Sequence, residues 1–188
     1  MKLIVAVNNN GVIGDKGQIP WVCKEDLRHF ARTTKKHVVI MGRNTWESLP
    51  KKARPLKNRH NIIISNTLRH DSNIRDTTIT SSIEDAFEFA YHQQFSNTWI
   101  IGGANVYDSA IRTGLVDEIH ITNIENDIPC DTFFPNISKD YQIKTTSKML
   151  NEGDVRYRFE THVPNYQMKI LFMYEIWQSI LRSDSALK

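Results

Sequence analysis

Val38-Val39-Ile40-Met41-Gly42-Arg43-Asn44-Thr45-Trp46-Glu47-Ser48 is the stretch that decides the fold. Its first four residues are apolar without alternation, so the strand they form is buried on both faces, as in a parallel sheet. Gly42 ends the run. Helical spacing follows, with Arg43, Asn44 and Thr45 at the helix start. Strand, glycine and helix in succession form the unit of an open α/β sheet.

The same alternation extends in both directions. Strands are predicted at Leu3–Val7, His37–Met41, Asn61–Ser65, Thr77–Thr80, Thr98–Ile101 and Glu118–Ile124, and helices at Lys24–Thr34, Asn44–Leu49, Ser82–Gln94 and Asn105–Arg112. Ser81-Ser82-Ile83-Glu84-Asp85 is a capping box opening the third helix. Tyr141–Lys148 and Val155–His162 alternate around the turn signal Asn151-Glu152-Gly153-Asp154, which predicts an antiparallel hairpin at one sheet edge. The expected fold class is α/β: a mixed, mostly parallel, eight-stranded sheet with that C-terminal hairpin and helices on both faces. After Pro164 the pattern is helical again, with Tyr166, Ile170, Met173, Tyr174, Trp177 and Leu181 on one stripe. Residues 163–188 are therefore expected to form a helical extension of a 1–162 domain. That helix packs on its own domain or offers 166–182 for self-association or partner docking.

Bulk composition narrows the function classes. The chain has 188 residues, 40% hydrophobic and 24% charged, with a net charge of +3. A mild positive charge with no long Lys/Arg run suits an anionic small molecule and argues against nucleic acid. The apolar start Met1–Asn8 is too short for a signal peptide, and no stretch is long enough to span a membrane. Two distant cysteines, Cys23 and Cys130, make no disulfide framework, so a cytoplasmic, reducing setting is expected. The seven histidines lack metal-type spacing, and no metal is expected.

Two strand-to-helix junctions suit phosphate. One is Gly42-Arg43-Asn44-Thr45; the other is Gly102-Gly103-Ala104-Asn105-Val106-Tyr107. A helix start offers free N–H groups and partial positive charge, and glycine permits close backbone approach. Each is weak alone, but two on parallel strands point to the crevice where open α/β sheets bind nucleotides. No Walker loop or GxGxxG fingerprint is present. A third feature is Asp26, on a helix whose Leu27, Phe30 and Ala31 form the expected inward face. On its own Asp26 belongs either to the solvated face of Glu25, Arg28, His29 and Arg32 or to the edge of the apolar face, where it would grip a ligand.

The chain resembles dihydrofolate reductases. The resemblance rests on Ile4-Val5-Ala6-Val7, Gly11-Val12-Ile13-Gly14, Ile19-Pro20-Trp21, Asp26-Leu27-Arg28-His29-Phe30, Val39–Pro50, Arg54-Pro55-Leu56-Lys57-Asn58-Arg59, Trp99-Ile100-Ile101-Gly102-Gly103 and Asp131-Thr132-Phe133-Phe134-Pro135, in the family's order over about 1–162. It implies NADPH-dependent reduction of 7,8-dihydrofolate to tetrahydrofolate, which feeds one-carbon metabolism. Hydride would pass to pterin C6, and solvent would protonate N5. Asp26, Trp21 and Thr122 would form the catalytic group, with Asp26 holding the ring's 2-amino and N3 side. The substrate would further contact Val5, Ala6, Leu27, Phe30, Leu49, Pro50, Leu56, Ile101 and Tyr107, with Arg59 on its α-carboxylate. The cofactor would contact Ala6, Ile13, Gly14 and Ile19 at its nicotinamide end, Gly102, Gly103, Ala104, Asn105, Val106 and Tyr107 at its pyrophosphate, and Gly42, Arg43, Asn44, Thr45, Ser65 and Asn66 on its adenosine side. The Asn9–Lys24 loop resembles a mobile lid.

Departures from the family pattern matter too. Asn44 and Asn66 stand where basic residues are common, so the preference for NADPH over NADH is expected to be weaker than is usual for such enzymes. A same-fold reductase of a riboflavin-pathway intermediate would share the junctions but lack the Pro-Trp and Asp-Leu-x-x-Phe elements. A non-catalytic scaffold of this fold would not need Asp26, Arg43, Arg59 and Gly102-Gly103 intact.

Overall fold

The computed structural model describes residues 1–69, 74–95, 97–128 and 130–165; the expected docking helix at 166–182 lies outside them. Among the described residues, eleven strands and four α-helices are formed. The strands are β1 (Lys2–Asn8), β2 (Val12–Gly14), β3 (Val38–Gly42), β4 (His60–Ile64), β5 (Thr77–Thr80), β6 (Thr98–Ile100), β7 (Glu118–Glu125), β8 (Thr132–Phe133), β9 (Tyr141–Thr146), β10 (Leu150–Glu152) and β11 (Val155–Pro164). The helices are α1 (Lys24–Thr34), α2 (Arg43–Ser48), α3 (Ile83–His92) and α4 (Ala104–Arg112).

One nine-stranded sheet runs β10-β11-β7-β1-β6-β3-β4-β5, with β9 also on β11. The pairs β7–β1, β1–β6, β6–β3, β3–β4 and β4–β5 are parallel. The pairs of β11 with β10, β7 and β9 are antiparallel. Val38, Val39, Ile40 and Met41 are all fully buried, as the missing alternation requires. Alternate residues feed opposite cores. Val38 and Ile40 join Leu3, Ile83, Phe87 and Ala110 under α3 and α4, whereas Val39 and Met41 join Trp46, Leu56 and half-buried Phe30 under α1 and α2. Each such side chain contributes about 1.5–3 kcal/mol by leaving water.

Three expectations need correction. The sheet has nine strands, not eight. The turn Gly153-Asp154 joins β11 to the short β10, and β9 pairs farther along β11 across a register shift at Thr161/His162. A separate two-stranded unit, β2 with β8, was not anticipated. The inward face of α1 is also different. Leu27 is 55% exposed and Ala31 is exposed, while Cys23, Asp26, Phe30 and Thr34 lie inward to varying degrees. Phe30 is inward as expected, but Cys23, Asp26 and Thr34 stand beside it in place of Leu27 and Ala31.

Candidate active site

The two glycine junctions sit side by side because β3 and β6 are neighbours. Ile101 N–H donates to Ile40 O at 2.9 Å, and Gly42 N–H donates to Gly102 O at 2.7 Å. A Cβ at either glycine would be crowded. A Cβ on Gly42 would lie 3.0 Å from Val106 Cγ2, and Gly102 adopts φ +116° with its Cβ position 3.2 Å from the Tyr107 hydroxyl. The Gly102–Gly103 peptide is cis.

Helix α4 starts at Gly103 without a side-chain cap, as α2 does at Gly42. Gly103 O accepts from Val106 and Tyr107 N–H, both at 2.9 Å. The first N–H groups of α4, on Ala104 and Asn105, stay available, which fits an anionic phosphate at this cradle. Asn105 and Asn44 are exposed; Thr45 is half-buried.

Arg43 and Ser65 meet at one turn. Arg43 Nη1 donates to Thr67 Oγ1 at 2.8 Å, and its Nε lies 3.6 Å from Glu47. Ser65 Oγ accepts from the N–H groups of Thr67 at 3.2 Å and Leu68 at 2.9 Å. Thr67 was missed from sequence; the signal was the Ser65-x-Thr67 turn. Asn66 is exposed beside it.

Asp26 lies in the first turn of α1. Burial pushes its carboxyl above the usual carboxylate range, opposed by a hydrogen bond from the Thr122 side chain. Thr122 is buried at the centre of β7 and stands in register with half-buried Ala6 of β1. Tyr107 is buried and donates to Ile4 O at 2.8 Å; burial and then Asp26 push its hydroxyl pKa up. Val5 of β1 is buried, and Ile101 is half-buried beyond β6.

Nearby groups carry unspent donors. Trp21 is buried among Cys23, Ile124 and Tyr157, and its Nε1 has no partner. The Arg59 guanidinium lies 5.6 Å above the Phe30 ring, and its buried Nε is also unpartnered. Burial lowers the Arg59 pKa, but an arginine stays charged in proteins. Leu49 and Ile101 pack with Phe30 and buried Leu56; Pro50 is exposed. An unpaired buried donor costs about 1–3 kcal/mol, so such groups await a ligand or water.

The Asn9–Lys24 loop is tied at its base. Asn8 Oδ1 accepts from Asn10 N–H at 2.9 Å and Val12 N–H at 3.0 Å. Lys16 N–H donates to Asp131 Oδ2 at 3.1 Å, and β2, which carries Ile13 and Gly14, pairs with β8. Its tip is open: Ile19 is 54% exposed. Among the described residues no cluster of metal-binding side chains occurs and no helix is long and apolar enough to cross a membrane.

A family model described as dihydrofolate reductase matches residues 1–165. The chain is 36% identical over 148 residues to the dihydrofolate reductase of Drosophila melanogaster, covering 74% of this chain and 81% of that protein. It is 36% identical over 164 residues to the Aedes albopictus enzyme of that name, covering 81% and 86%. Identity to the bifunctional dihydrofolate reductase-thymidylate synthase 2 of Arabidopsis thaliana is 35% over 175 residues, covering 86% of this chain but only 31% of that longer protein.

Proposed function

Because this chain belongs to the dihydrofolate reductase family, we propose that it reduces 7,8-dihydrofolate to 5,6,7,8-tetrahydrofolate with NADPH. One observation carries the assignment of roles. A half-buried carboxylate, Asp26, has its pKa raised by burial and lowered by the Thr122 side chain, and an incompletely paired cation, Arg59, lies over Phe30. The substrate is built the same way, with an amidine-like donor edge on its ring and carboxylates at its far end. Asp26 accepts from the ring's donor edge in a charge-assisted pair. Arg59 takes the α-carboxylate. Phe30, Leu49, Leu56 and Ile101 exclude water between them, and exposed Leu27 and Ile19 close over the bound rings.

NADPH, when bound, supplies the hydride delivered to pterin C6. The α4 start at Gly103, Ala104 and Asn105 holds its pyrophosphate by backbone N–H groups, and Arg43 with Ser65 holds the 2′-phosphate. Asp26 polarises the ring but is displaced from N5, so solvent gives N5 its proton. The work of the protein is orientation and desolvation. The free cysteines Cys23 and Cys130 support a cytoplasmic setting.

The test is Asp26→Asn, followed by loss of absorbance at the nicotinamide band. Turnover at neutral pH falls on the order of a hundredfold or more, while NADPH affinity stays within twofold. Near-parental turnover would overturn the role of Asp26.

A further inference from the structure

Helix α1 begins without a cap of its own. Its N-cap residue, Cys23, makes no side-chain cap bond. Leu27 N–H reaches Cys23 O at 3.2 Å, which leaves the N–H groups of Lys24, Glu25 and Asp26 as the orphan donors of a helix start. One distant carboxylate takes two of them. Glu152 Oε1 accepts from Lys24 N–H at 3.1 Å, and Glu152 Oε2 accepts from Glu25 N–H at 2.8 Å. The Cys23 thiol points at the same Oε2 from 3.7 Å.

The hairpin fixes Glu152. This residue closes β10 and pairs with Val155 across a turn whose Gly153 has φ +59°. Leu150, Val155 and Tyr157 of the hairpin pack with Trp21 and Cys23. The carboxylate is thus held against the helix start by strand register and by an apolar cluster. An acid at that end also suits the positive pole of the helix. Asp26 is the third residue of α1, inside the clamped turn, so any fraying there moves the Asp26 side chain directly.

We propose that Glu152 is a positioning residue for dihydrofolate reduction, clamping the first turn of α1 from the β10–β11 hairpin and so fixing the aim of the Asp26 carboxylate. The proposal rests on the reading that Asp26 grips the substrate ring. Side-chain capping at a helix start is strong enough for its loss to be read as roughly a fivefold effect.

The full chain is assayed as Glu152→Ala, Glu152→Gln and the double variant Glu152→Ala/Cys23→Ser, beside Asp26→Asn. Glu152→Ala raises KM for dihydrofolate roughly fivefold and leaves the NADPH Kd within twofold. The acidic limb of its kcat/KM profile moves to lower pH, because a loosened Asp26 is better hydrated. Glu152→Gln, which keeps a neutral acceptor, falls between, and it carries the test if the alanine variant does not fold. Serine at the N-cap accepts from the second or third N–H of the helix, so Cys23→Ser recovers much of the lost dihydrofolate affinity. Parental KM and pH profile in both Glu152 variants would overturn the clamp. So would equal losses of dihydrofolate and NADPH affinity that Cys23→Ser does not recover. Asp26→Asn separates the failures: if it keeps turnover, the reading of Asp26 has failed; if it loses turnover while the Glu152 variants are unchanged, only the clamp has.

Discussion

Gly102→Ala should damage the fold through a single neighbour, Tyr107. At φ +116° an alanine is strained, at about 1–3 kcal/mol. Its Cβ would stand 3.2 Å from the Tyr107 hydroxyl and 3.3 Å from Cζ. The ring has little room to retreat, because it is buried and packs edge-on against Phe134 with centroids 5.3 Å apart. Displacing it also weakens the 2.8 Å bond to Ile4 O, a further loss of about 1 kcal/mol. The expected total is about 2–4 kcal/mol, and a chain of this size loses about 2–4 °C of Tm per kcal/mol. Thermal unfolding followed by circular dichroism should therefore show a drop of roughly 5–15 °C. Tyr107→Phe removes the clashing oxygen together with the bond. In the double variant the two costs should fall short of their sum by at least about 0.5 kcal/mol. Strict additivity, or an unchanged Tm for Gly102→Ala, would refute this account of why Gly102 must be glycine.

Two further outcomes concern charge. Burial raises the Asp26 carboxyl, so the native state holds its proton more tightly than the unfolded chain does. The associated stability is complete below the unfolded carboxylate range and is lost as pH rises through the raised folded value. Asp26→Asn should therefore melt above the parent at neutral pH without ligands, and the gap should close in acid; a lower neutral-pH Tm would contradict the burial argument. Arg43→Ala should cut kcat/KM for NADPH by roughly tenfold or more and leave NADH nearly unaffected. An unchanged cofactor ratio would remove Arg43 from the 2′-phosphate.

How much of this was legible in the sequence varies by element, for physical reasons. The bounds of α1 and β5 match expectation, since local spacing and turn residues define both. Strand β10 did not stand out, because three residues, Leu150-Asn151-Glu152, carry too little pattern to announce a strand. Only the register of β11 makes them one. The β2–β8 pair joins segments far apart in the chain and is invisible to local periodicity. The face of α1 was misjudged because apolar residues were assumed to point at the sheet. Leu27 instead remains open, as a residue kept for a ligand would. Among site residues, the resemblance implied Asp26, Thr122 and Arg59, and a local turn signal marks Thr67, whereas Glu152 reaches the α1 start through strand register that no local motif encodes.

The helix starts separate support from function. Ser82 caps α3 by accepting from Asp85 N–H at 3.0 Å, a local device written wholly in local sequence. Helix α1 gets its cap from Glu152, across the fold, and it carries Asp26. Helices α2 and α4 start at glycines with no side-chain cap, at the two junctions read as phosphate sites. A side-chain cap at either glycine would fill the space and satisfy the N–H groups that an anion needs. The missing caps are therefore a cost to the unliganded fold that bound cofactor is expected to repay. NADPH should raise the Tm by what mass action demands at its measured affinity, and its binding should order the α4 start. Hydrogen exchange at Ala104 and Asn105, with and without NADPH, reads that ordering directly: these amides slow on binding if they hold the pyrophosphate, and unchanged exchange would move the phosphate site elsewhere.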